Sequence, residues 1–355
     1  MTGYYDVPQY ADYKKFIAEV YPEAATRIAV TRNGIPVKRK AMKAEIRSQL
    51  PGRVIASIPE DDFSKQLKVH ATFNAKRASS PSFYLASAVS FYDRDSENDQ
   101  FQFSCIMLRS SRVDPSQLLH TLSDQSIPRL QMKFNQAAQN PAALHWFVFF
   151  HELCHSLVSL KMHPCAPQKA QGGFAKAYYY AREETICDSY AVVQTLKIMG
   201  ESAIPSFRAI ADMRLSRLLL SGHKYFTSLA IGEILDAVEG KGMAHLYAMD
   251  RDELHDYVLQ VSARNYFSPE DFLLLHTAND IVTNADRPLS DFQRHSLTGK
   301  VMKRIIELKI DAPAGTYKHK IAKELMRSSG ILKKNYAYAS LLENLQDKMW
   351  PAFRP

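Results

Sequence analysis

The segment from Pro141 to Lys161 constrains this chain more than any other. Leu144, Trp146, Phe147, Val148, Phe149, Phe150, Leu153, Leu157, Val158 and Leu160 make it apolar on nearly every helical face, the pattern of a helix at the centre of a fold. Asn140-Pro141 is a suitable start, because asparagine caps free N–H groups and proline is tolerated in the first turn. Into this helix the sequence inserts His151-Glu152-Leu153-Cys154-His155. A carboxylate buried without a partner costs several kcal/mol, so polar groups persist in such a helix only when paired or bound to a metal. Two histidines four apart lie one above the other on one face. That spacing lets both imidazoles reach a single zinc ion, with Glu152 beside them to activate water. Core histidines satisfied by hydrogen bonds are the alternative.

A catalytic zinc site needs a third protein ligand and an open position. After a loop rich in proline and glycine (Met162 to Gly173), a second long helix is expected from Phe174 to Met199, ended by Gly200. It carries Glu183-Glu184-Thr185-Ile186-Cys187-Asp188, with Glu184 and Asp188 again one turn apart. Small Ala177, Ala181 and Ala191 share their face and permit close approach to the first helix. Glu184 is therefore the expected third ligand. Glu183, rotated by about 100°, stays open as the alternative, as do His163 and Cys165 in the intervening loop. Cys154 and Cys187 read as small core residues.

His151-Glu152-x-x-His155 followed by Glu184-x-x-x-Asp188 resembles the zinc metallopeptidases of the gluzincin group, the thermolysin type. The resemblance runs from Leu144 to Thr195 and implies His151, His155 and Glu184 as ligands of one zinc ion per chain. It implies Glu152 as general base and Asp188 as the residue orienting a ligand histidine. Metzincins would need glycine at 158 and histidine at 161, where this chain has Val158 and Lys161. The activity implied is hydrolysis of peptide bonds in a protein substrate. A tyrosine or histidine donor would stabilise the oxyanion; Tyr178, Tyr179, Tyr180, Tyr190, His223 and Tyr225 are candidates. The strand Phe101 to Leu108 is expected to hold an extended substrate by strand addition.

The remaining organisation is read from patterning. Tyr10 to Val20 has helical spacing, and Lys38 begins a basic helical stretch broken at Pro51-Gly52. Val69 to Phe73, Phe83 to Tyr92 and Phe101 to Leu108 read as three antiparallel strands, the last two a hairpin. The expected fold is α+β: a mainly helical segment over 1–65, a zincin-like core of a small sheet and two active-site helices over 66–200, and a helical lobe over 201–355. The cleft is expected between core and lobe.

Charge and cysteine usage bound the partners. From Arg287 to Lys334 twelve Lys and Arg face four carboxylates, a net +8 that equals the formal charge of all 355 residues. Such a region attracts nucleic acid or an acidic protein, or is a solvated helical face. An inactive zincin-fold protein that binds nucleic acid through this region is the competing reading. Four cysteines without a C-x-x-C pair fit a reducing compartment. No signal peptide is visible and no uninterrupted apolar run is long enough to span a membrane, so a cytoplasmic location is expected, in the producing cell or in one it is delivered to.

Overall fold

A computed structural model describes residues 8–33, 39–56, 60, 61, 65, 86–92, 101–109, 140–165, 173–221, 227–266, 269, 272 and 314–316. In chain order these form α1 (Tyr10–Val20), α2 (Pro22–Ala25), β1 (Ile28–Asn33), α3 (Arg39–Gln49), α4 (Gly52–Ala56), β2 (Ala86–Tyr92) and β3 (Phe101–Arg109). Then follow α5 (Pro141–Ser159), α6 (Gly173–Met199), a 3-10 turn (Gly200–Ala203), α7 (Ile204–Ser221), α8 (Ser228–Lys241), α9 (Ala244–Tyr247) and α10 (Arg251–Asn265). The described residues are mostly helical with one small mixed sheet, an α+β arrangement.

The strand order is β1-β3-β2, with β2 antiparallel to β3 and β1 parallel to it. The hairpin pairing of the last two strands therefore stands. Two other expectations change. Val69 to Phe73 lies outside the described residues, and the third strand is Ile28–Asn33, inside the segment expected to be mainly helical. It carries no period-two signal because both of its faces are covered. Ile28 and Val30 pack into the large apolar cluster that contains α5 and α6, while Ala29 faces a smaller one with Phe91, Phe103, Ile46 and Leu50. A strand buried on both faces has no polar side to alternate with. The sheet is thus sandwiched between α3 on one side and α5 on the other.

β3 is the central strand, with both edges hydrogen-bonded to neighbours. It cannot accept an added strand, so the expectation that Phe101 to Leu108 holds a substrate is corrected. Among the described residues, β2 is the edge strand on the side of α5 that carries Glu152.

Helix α5 starts as expected: the Asn140 side chain accepts the Ala142 N–H at 3.0 Å and the Ala143 N–H at 3.4 Å. It ends at Ser159, two residues early, because Lys161 takes a left-handed φ of 59° and the Met162 N–H turns back to the Leu157 carbonyl. Helix α6 stops before Gly200, whose φ of 65° suits glycine. These two helices pack along each other more extensively than any other pair of described helices. Ala181 and Ala191 are fully buried in α6.

A serine chain seats α5 on the sheet. Ser90 Oγ donates to Ser104 Oγ, Ser104 lies 2.8 Å from Ser156 Oγ, and Ser156 donates to the Glu152 carbonyl. The large cluster runs without a break from Tyr13 and Ile17 of α1 through Phe149, Phe150 and Leu153 to Ile231, Leu235 and Val258 of the C-terminal helices. The described parts of 1–65, 66–200 and 201–355 therefore share one core. No described helix is long and apolar enough to cross a membrane.

Candidate metal centre

One turn of α5 and one turn of α6 meet at the site. His151 Nε2 and His155 Nε2 converge to 3.2 Å. Glu184 Oε2 lies 3.4 Å from the first and 4.0 Å from the second. In a tetrahedral zinc centre with bonds of about 2.0–2.2 Å, two ligand atoms stand about 3.3–3.6 Å apart. Two of the three separations are close to that edge length, and the third needs a shift of a few tenths of an ångström. Two imidazoles and one carboxylate are also a donor set that zinc takes. The residues present therefore fit the ion. His151 and Glu184 are buried and His155 is half-buried.

Each of the two histidines has a carboxylate at its other nitrogen. Asp188 Oδ1 stands 2.7 Å from His151 Nδ1, an ion-pair contact whose N–H direction is off line for a hydrogen bond. Glu183 Oε1 stands 2.7 Å from His155 Nδ1. The neighbouring glutamates thus divide: Glu184 joins the donor set, and Glu183 meets the far side of the His155 ring. His155, Glu183 and Cys187 also come within ligand range of one another. The 2.7 Å between His155 and Glu183 is nevertheless a hydrogen-bond length, shorter than the spacing of two ligands on one ion. The contact of Glu183 with His155 Nδ1 was not anticipated from the sequence. The signal available was general: a ligating imidazole needs an acceptor on its second nitrogen.

The electrostatics favour positive charge between these groups. Burial works against a charged His151, but Asp188 and Glu184 outweigh it and lift its pKa to about 10. His155 is also raised: burial opposes its charge, and Glu183 leads the groups that overcome this. Asp188 is fully buried, which alone would raise its pKa, yet Arg214 and then His151 hold it at about 2. Arg214 of α7 and Thr227, just before α8, were not anticipated. They come from 26 and 39 positions beyond Asp188, where no local pattern points to them.

Glu152 is half-buried and stands outside the donor set. Its Oε2 accepts the Ala88 N–H of β2 at 2.7 Å, which places its carboxylate between the histidine turn and the sheet edge. The loop alternative is not assembled at this site. His163 is buried, accepts the Cys165 N–H at Nδ1 and packs against the His255 ring. Of the oxyanion candidates, Tyr190 is fully buried with its hydroxyl 2.7 Å from Tyr21 Oη, which makes it a core residue. Tyr180 is exposed, and Tyr178 packs against Tyr266 and Phe272. His223 and Tyr225 lie outside the described residues, as does almost all of the basic stretch over 287–334.

Compared with protein families, curated proteins and solved structures, the chain matches none.

Proposed function

We propose that this chain is a zinc-dependent endopeptidase with a zincin-like core, acting on a protein or peptide substrate. The observation that carries this reading is the convergence of His151 Nε2, His155 Nε2 and Glu184 Oε2, with the Glu152 carboxylate held beside them at a sheet edge.

A zinc ion held there would make water nucleophilic near neutral pH and polarise a carbonyl oxygen. Glu183 offers His155 Nδ1 an acceptor, and the Asp188 carboxylate stands 2.7 Å from His151 Nδ1, so that both Nε2 atoms are turned to the donor set. Glu152 has Oε2 engaged by the Ala88 N–H, which leaves Oε1 to take a proton from the attacking water and return it to the leaving amine. The Ala88 N–H is on the edge of β2 turned away from β3, so β2 rather than β3 is the strand beside which an extended peptide would lie.

The test joins metal content to cleavage of a general protease substrate such as fluorescently labelled casein. Purified protein should carry about one zinc per chain, and Glu152→Gln should keep it while cleavage disappears. Cleavage by the Glu152→Gln variant at the wild-type rate would end this reading.

A further inference from the structure

The fully buried Asp188 carboxylate joins α6 to three other parts of the chain. Its Oδ1 meets His151 Nδ1 of α5 at 2.7 Å and the Arg214 Nη2 of α7 at 2.8 Å. Its Oδ2 meets Arg214 Nε at 2.8 Å and accepts the Thr227 hydroxyl at 2.6 Å. Arg214 Nη2 thus donates to Oδ1, whereas Nε stands beside Oδ2 as an ion-pair contact off line for a hydrogen bond, and a guanidinium placed beside both oxygens restrains a carboxylate more than a single ammonium does. Thr227 takes Oδ2, which leaves Oδ1 for the imidazole. So restrained, the carboxylate keeps Oδ1 beside His151 Nδ1. The place of the His151 ring follows from that contact.

We infer that Arg214 and Thr227 are positioning residues of the donor set, which act through Asp188 to hold the His151 ring in its metal-binding orientation. The region after α6 is then part of the metal centre through Asp188. This rests on the metal-binding reading above. Loosening a partner that orients a ligand weakens metal affinity by about 10–100-fold.

The experiment compares wild type, Arg214→Met, Arg214→Lys and Thr227→Val. Arg208→Ala serves as a control, because Arg208 pairs with Glu239 on the exposed side of α7. Zinc affinity is measured by competition with a chromophoric chelator. The d–d absorption of the cobalt-loaded protein is recorded at saturation, where every site is filled, so a shift reports altered coordination rather than lost fold. Arg214→Met is expected to weaken zinc about 10–100-fold and Thr227→Val about tenfold, both with shifted cobalt bands. Arg214→Lys should recover part of the loss, and Arg208→Ala should match wild type. Circular dichroism of the metal-free proteins shows which variants fold. Thr227→Val keeps the Arg214 contacts and decides the matter if Arg214→Met does not fold. Wild-type affinity and cobalt spectra in the folded variants would overturn the positioning role and leave the metal reading standing. A wild-type protein that takes up no zinc would overturn both.

Discussion

Helices α5 and α6 border two histidine pairs with opposite electrostatics. At the donor cluster, His151 and His155 sit among Glu183, Glu184 and Asp188, and both are pushed toward the charged form. At the other cluster, the His163 ring packs 4.4 Å from that of His255. His255 Nε2 lies 2.9 Å from Tyr21 Oη, which in turn lies 2.7 Å from Tyr190 Oη. There burial dominates: His163 falls to about 3, helped by His255, and His255 falls to about 4, helped by Arg251. The residue type is the same and so is the pair of helices. What differs is the partner: carboxylates make a place for a cation, and phenols leave a neutral imidazole that packs and hydrogen-bonds. A histidine near the H-E-x-x-H turn is therefore a ligand candidate only where carboxylates meet its ring.

The largest expected effect separates the clusters by chemistry. Glu152→Gln should lower casein cleavage by about 10²–10⁴-fold with zinc content unchanged, whereas His163→Phe should leave both cleavage per folded molecule and zinc content as in wild type. His155→Ala should lose the zinc by mass spectrometry. Loss of zinc in His163→Phe would erase the distinction between the two pairs.

A second contrast lies among the orienting groups. Glu183→Gln keeps an acceptor for the His155 N–H but removes the charge, and should weaken zinc by about tenfold in a chelator competition. Truncating the other cluster with Tyr21→Phe should not change zinc affinity, though it removes the hydroxyl that bonds both Tyr190 and His255. Equal losses in both variants would mean that zinc affinity follows general stability, not the local partners.

The tyrosine-bound pair should appear instead in acid stability. In the unfolded chain its histidines protonate near the ordinary value of about 6.5, while the folded protein holds them neutral down to about 4 and about 3. Their contribution is whole above pH 6.5 and is lost as pH falls from there toward 4, because the unfolded state binds protons the folded state refuses. Thermal melts of metal-free protein should decline over that window, and replacing both histidines by phenylalanine should flatten the decline. An unchanged slope would show that other groups carry it.

The smallest effect sits at the junction between the pairs. Lys161 adopts φ 59° just after α5, a conformation that costs a residue with Cβ about 1 kcal/mol. Lys161→Gly should raise the midpoint of chemical denaturation slightly and leave zinc affinity alone.

Legibility followed the range of the physics. The α5 start at Asn140-Pro141, the α6 stop at Gly200 and the pairing of β2 with β3 were readable, because caps, glycine and period-two alternation act within a few residues. Strand β1 was not, since burial on both faces removes the alternation. The shared face of His151 and His155, and that of Glu184 and Asp188, followed from 3.6 residues per turn.

Sequence alone thus determined which residue types could converge: two imidazoles on one buried helix and two carboxylates one turn apart on another. Only the tertiary structure decided that Glu184 faces the donor set while Glu183 meets the far nitrogen of His155, that β3 is enclosed and β2 lies at the edge among the described residues, and that Arg214 of α7 and Thr227 before α8 reach Asp188. The reason is geometric. Local periodicity sets the face a side chain shares with its neighbours, whereas the rotation of two helices about their own axes, set by packing across the whole core, decides which atom of one meets which atom of the other.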